Sequence, residues 1–211
     1  HQGIPDPLWS RGLGDVYKRQ DMKDYGMRFS MKTEIRSTTI IGVRHKRKVA
    51  MAGDGQVTFG EMMFKQKAIK VREFKTATNN VLGGFAGAAA DALTLFEKFE
   101  QKLEQYDGDL RRAIVELAKD WRTDKVLRHL DAMLVVMDKK YSFIICGDGN
   151  VIEPDGSIVA IGSGGGFAQA AATAFLKSTQ HSAKQIAEQS LKIAADLCIY
   201  TNDSISVLEI K

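Results

Sequence analysis

The chain alternates between stretches with a strand-like hydrophobic period and stretches with a helical one. From Thr38 the β-branched and apolar residues run to Val43, a basic turn follows at Lys46, Arg47 and Lys48, and a second run continues as VAMAGDGQVTF. Apolar runs on either side of a short turn predict a hairpin, and this one ends on a glycine-flanked aspartate, Asp54. KVREF and VLGGFAG predict further strands across the polar TATNN turn. The period then changes: Ala92, Leu95, Phe96, Phe99, Leu103 and Tyr106, and after Gly108-Asp109 the residues Leu110, Ile114, Leu117 and Trp121, recur at helical spacing. These predict a pair of amphipathic helices. AMLVVM, YSFIIC and SIVAIG return to strands, punctuated by DKK, GDGN and PDG. An alanine-rich helix from Phe167 and another from Ser182 precede a last strand, SISVLEI. Ser182 and Gln185 have the spacing of a capping box. Blocks of strands alternating with helix pairs predict an α+β layered domain, with antiparallel sheets face to face and helix pairs outside.

A length of 211 residues with 44% hydrophobic content fits one domain with a real core. Apolar runs are interrupted by charge or glycine within roughly ten residues, short of the ~20 that a membrane-spanning helix needs. The first thirty residues lack the apolar stretch of a secretory signal, so the expected compartment is the cytoplasm. Cys146 and Cys198 each lie in an apolar segment and read as buried thiols, not as a disulfide framework. The net charge of +4 comes with basic residues interleaved with acids, as in EKFEQKLEQ, which describes solvated helix faces and no nucleic-acid groove. Residues 1–20 share no period with the rest and read as a cloning or assembly scar. Met22, Met27 and Met31 offer alternative starts, and Met31 would leave a short leader, MKTEIRS, before Thr38; the expected division is a leader at 1–37, with about 31–37 a propeptide, and the functional domain at 38–211.

Few motifs in this frame carry chemistry. GSGGGF at 162–167 lacks the Gly-Lys-Ser/Thr of a phosphate loop and reads as a tight strand-to-helix turn, which leaves the hydroxyl of Ser163 unexplained. The Gly-Asp-Gly stretches at Asp54 and Asp148 lack the further acidic ligands of a calcium loop. Asp148 reads as a turn residue, whereas Asp54 ends an apolar strand, where a carboxylate needs a cation. His1, His45, His129 and His181 have no metal-binding spacing, and no Gly-x-Ser-x-Gly elbow is present. Thr38 and Thr39 remain. They read either as a polar strand start or, if the chain is cut before Thr38, as a nucleophile carrying its own base. An α-amine with a pKa of about 7.7 to 8.0 is partly neutral at cytoplasmic pH without any histidine.

TTIIGVRH, AGDGQVTFG, KVREF, GGFAGAAADALTLFEKFE, VELAKDWRTDK, AIGSGG and CIYTND, in this order, closely resemble the HslV (ClpQ) family of bacterial proteasome-like threonine peptidases. The likeness runs from Thr38 to the C-terminus. It implies the four-layer αββα sandwich of N-terminal-nucleophile hydrolases. It also implies a homododecamer of two stacked hexameric rings and unfolded protein substrates delivered by HslU (ClpY) ATPase hexamers. ATP is then the partner's ligand, and no nucleic acid or membrane is involved. By the same resemblance Thr38 is the nucleophile, exposed by autocatalytic removal of the leader. Lys70 keeps the amine neutral, Asp54 pairs with Lys70, and the backbone N–H of Gly84 holds the oxyanion. Ser163 hydrogen-bonds around the amine, and main-chain oxygens of Ala195, Cys198 and Thr201 bind a sodium ion. Alanine at 195 replaces the family's usual glycine, and the TATNN turn is longer than in the family. A non-catalytic ring scaffold and a small-molecule amidohydrolase of the same fold are the competing readings. Thr38, Asp54, Lys70 and Ser163 together speak against a scaffold, which needs none of them.

Overall fold

The computed structural model describes residues 35–36, 38–59, 62–87, 89–124, 132–147 and 149–210. Residues 1–34, Ser37, His129 and Asp148 lie outside the described residues. The elements in chain order are β1 (Ile35–Arg36), β2 (Thr39–His45), β3 (Lys48–Gly53), β4 (Val57–Phe59), β5 (Met62–Lys65), β6 (Val71–Lys75) and β7 (Asn80–Gly87). Helices α1 (Ala89–Gln105) and α2 (Leu110–Thr123) follow, then β8 (Ala132–Met137), β9 (Ser142–Ile145), β10 (Val151–Ile152) and β11 (Ile158–Gly162). Helices α3 (Gly165–Ser178) and α4 (Ala183–Leu197) and strand β12 (Ser206–Ile210) complete the fold.

The strands form a four-stranded sheet β11-β2-β3-β12, a five-stranded sheet β10-β9-β8-β7-β6 and a small sheet β1-β4-β5. Every pairing is antiparallel, from Ile40↔Gly53 in the first hairpin to Leu82↔Met137 in the second sheet. The two large sheets are stacked. Ile40, Met51 and Val159 of one sheet and Leu82, Val135 and Met137 of the other are buried together between them.

Each sheet has a second apolar face, and a helix pair covers it. Phe74, Val81 and Phe143 pack under Leu95, Phe99, Leu103, Ile114 and Trp121 of α1 and α2. Phe74 meets Phe96 and Phe99 edge to face, with ring centres 5.4 and 5.0 Å apart. Ile41, Val43, Ala50 and Ala52 pack under Ala168, Ala172, Ile186 and Leu191 of α3 and α4. The result is the αββα sandwich, and the strands covered on both sides account for the near-continuous apolar runs in TTIIGV and AMLVVM. Truncating one of these buried aliphatic residues to alanine costs about 2–5 kcal/mol.

Local signals decide where the elements stop. Asp109 caps α2 by accepting from the Arg112 N–H at 3.0 Å. Ser182 and Gln185 form the reciprocal capping box that their spacing predicts. The alanine-rich helix begins at Gly165, two positions before Phe167, because Gly164 takes the cap position. The β2–β3 turn places Lys46 and Arg47 at φ 50° and 62°, the left-handed pair that a two-residue hairpin turn requires and that Asn-Gly adopts more easily. Cys198 is buried as expected, whereas Cys146 lies just past β9 and is only half-buried.

Candidate active site

Thr38 precedes the first residue of β2 and is 2% exposed. Its carbonyl oxygen accepts the N–H of Ser163 at 3.0 Å. Between these partners β11 ends on Gly162, at φ +88°, and a Cβ there would run into the Thr38 carbonyl oxygen. The glycine-rich stretch is therefore a turn that lets two backbones touch, and Ser163 is held at the exposed end of it.

Asp54 follows β3, buried completely, and its carboxylate is saturated with donors. Oδ1 accepts the Thr39 N–H at 2.7 Å and the Lys70 ammonium at 3.0 Å; Oδ2 accepts the Gln56 N–H at 2.9 Å. Lys70, immediately before β6, is 2% exposed and donates a second bond to the Gln56 carbonyl. The cation that Asp54 needs is therefore present, in a buried pair. Burial pushes the Lys70 ammonium below the usual lysine range, while the Asp54 charge and hydrogen bond pull the other way. Lys70 is the more easily neutralised for it.

A cavity of about 640 Å³ opens beside these groups. Thr38, Lys70 and Gly87 lie on its wall, and Val57, Ile69 and Leu93 give it an apolar lining. Exposed Phe64 on β5 also lines it, and Met62 and Met63 on the same strand are exposed.

Gly84 does not reach this site, which corrects the expectation placed on it. It pairs with Val71 on one side and Val135 on the other. The N–H of Phe85 points toward β6, donating to the Lys70 carbonyl at 3.2 Å. N–H groups alternate sides along a strand, so that of Gly84 points into the ladder with β8. Its Cα faces the layer between the sheets, where a Cβ would come within 2.6 Å of Ile40 Cγ2. Gly87 shares the direction of Phe85 but lies past the end of β6, opposite Ala132 of β8 alone, so its N–H faces the cavity.

Ala195 sits in the last turn of α4 and Cys198 is its C-cap, donating to the Ala194 carbonyl at 2.8 Å; Thr201 N–H returns to the Cys198 carbonyl at 3.0 Å. The last carbonyls of a helix carry partial negative charge and lack intrahelical donors. Hard main-chain oxygens of this kind fit a sodium ion. Among the described residues no group of three or more His, Cys, Asp or Glu side chains is placed to hold a metal.

Two residues of the site are not singled out by the sequence, Gln56 and Gly87, and Gln56 has only its place in GDGQ as a signal; Thr39 is read there only as half of the threonine pair.

The family model described as "Proteasome subunit" matches residues 35–210. The "ATP-dependent protease subunit HslV" of Treponema denticola is 54% identical over 180 residues, covering 85% of this chain and all of that protein. Among solved structures, the eukaryotic HslV from Trypanosoma brucei is 43% identical with a TM-score of 0.76, covering 82% of this chain and 99% of that one. Thiobacillus denitrificans BPH in complex with epoxomicin is 18% identical with a TM-score of 0.65, over 82% of this chain and 98% of that one, a likeness of fold alone.

Proposed function

The chain belongs to the proteasome subunit family, and from that premise we propose that it is the peptidase subunit of an ATP-dependent protease, cutting peptide bonds with Thr38 as an N-terminal nucleophile. The observation that carries this reading is the placing of Thr38 on the wall of an apolar cavity beside a buried Asp54–Lys70 pair. While Ser37 is attached, the Thr38 nitrogen is an amide and has no basicity. Hydrolysis of the Ser37–Thr38 bond turns it into an amine.

That amine then takes the Oγ proton as Oγ attacks the scissile carbonyl, and returns it to the leaving nitrogen as the C–N bond breaks. The acyl ester on Oγ is hydrolysed by water through the same proton path, and the free hydroxyl and amine are restored. The positive charge of Lys70 disfavours the ammonium form of its neighbour, and Asp54 holds Lys70 in place. The Gly87 N–H, aimed at the cavity, is the oxyanion donor in place of Gly84; such a donor contributes about 2.7–4 kcal/mol to transition-state binding. The Ser163 N–H is tied to the Thr38 carbonyl, which supports the reading that its hydroxyl serves the amine.

The wider assembly belongs to the same reading: two stacked hexameric rings, unfolded protein fed by HslU (ClpY) ATPase hexamers, ATP spent by the partner, and a cytoplasmic setting. No described helix is long and apolar enough to cross a membrane. A sodium ion on the carbonyls of Ala195, Cys198 and Thr201 would supply fixed positive charge to that turn.

Thr38→Ala tests the reading. Peptide hydrolysis by the assembled, processed protein should fall by about 10³-fold or more while the rings still form. Activity persisting in the variant would refute the nucleophile.

A further inference from the structure

The side chain of Thr39 has its own bonds, and none is used by the chemistry above. Its side chain is wholly buried. Oγ1 accepts the Gly164 N–H at 2.9 Å and shares a hydrogen bond with Thr201 Oγ1 at 2.7 Å. One residue earlier in each segment, the Ser163 N–H donates to the Thr38 carbonyl. Two consecutive N–H groups, those of Ser163 and Gly164, are thus held by two consecutive threonines, once through a backbone oxygen and once through a side-chain oxygen. Gly164 has no room for a side chain, since a Cβ would lie 2.6 Å from Thr201 Oγ1.

We propose that Thr39 is a positioning residue: its hydroxyl, braced by Thr201, fixes the Ser163-Gly164 turn against Thr38 and so sets where the Ser163 side chain stands relative to the nucleophile. The inference rests on the peptidase reading. Thr201 is needed because a hydroxyl anchored only by Gly164 could rotate away with the turn. A bond from the loop after α4 holds it from the far side. The same loop grips the acidic half of the site, with the Ile199 carbonyl accepting Gln56 Nε2 at 2.9 Å and Asn202 Oδ1 accepting the Gly55 N–H at 3.0 Å. Ser163 and Asp54 are therefore located by one common backing.

The test uses the assembled, processed protein and a fluorogenic peptide, with backbone hydrogen exchange of the 161–167 segment as a second readout. Thr39→Val keeps the β-branched shape and removes the hydroxyl; it should lower kcat by about 10- to 100-fold with KM little changed, the signature of a displaced reacting group. Exchange in the segment should quicken. Thr39→Ser keeps the oxygen and should restore both. Thr201→Val should act in the same direction, and the double Thr39→Val/Thr201→Val should be no worse than the first variant alone, since the two hydroxyls act as one unit.

A Thr39→Val enzyme with wild-type kcat overturns the proposal, as does a Thr39→Ser enzyme as impaired as the valine variant. Loss of ring assembly in Thr39→Val would assign the residue to structure instead. Thr38→Ala run in parallel separates the two levels. Activity surviving there defeats the peptidase reading, whereas unchanged exchange at 161–167 in Thr39→Val defeats the positioning role whatever the activity does.

Discussion

Lys70 is charged, long and nearly solvent-free, and among the described residues its compensation is Asp54 and one carbonyl. Lys70→Met should therefore destabilise the protein by about 3–5 kcal/mol in denaturant unfolding, because it strands a buried carboxylate; adding Asp54→Asn should recover part of that loss. The pH dependence follows from the direction of the Lys70 shift. Its folded-state pKa lies below the unfolded value of about 10.4, so between the two the unfolded chain binds more protons and stability contributed by this group rises with pH. Below the folded value the contribution is flat. Lys70→Met should lack the alkaline rise when the unfolding curves are compared. Asp54 is legible in the sequence because a charge at the end of an apolar run demands a partner, whereas Lys70 as that partner comes only from the family resemblance. Gly84 was misplaced for an equally physical reason: which side of a strand an N–H faces depends on register with both neighbours, and the string GGFAG does not contain that register.

The β2–β3 turn forces Lys46 and Arg47 into a conformation that costs an L-residue with a Cβ about 1–2 kcal/mol. Replacing the pair by Asn-Gly should raise the stability, by about 1 kcal/mol per residue at most, with peptidase activity unchanged; thermal unfolding and a peptide assay check both halves. The opposite is expected at the β11–α3 turn. Gly162→Ala adds a Cβ at positive φ against the Thr38 carbonyl and should abolish activity or folding. Most elements were legible from period alone, and the capping box at Ser182 was legible from two letters. Pairing was less so. Strand β1 lies against β4, Ile35 opposite Phe59, and β4 against β5, in a small sheet whose strands of two to four residues are too short to show a period.

At the scale of the whole molecule, the sandwich has three apolar interfaces, and the candidate site lies where the head of β2, the end of β3 and the start of β6 meet. This is why the layer order could be read from alternating blocks while the site could not be assembled without the family resemblance: its members come from both sheets. Strand β2 is an inner strand, with β11 on one flank and β3 on the other. A nucleophile rooted there is among the last parts of the molecule to come loose, since amides held on both flanks exchange only in the larger opening events. Heating should therefore show no temperature range in which the protein is folded but catalytically slack. Inactivation and melting of the sheets should coincide, and the shelf life of the activity becomes a property of the core.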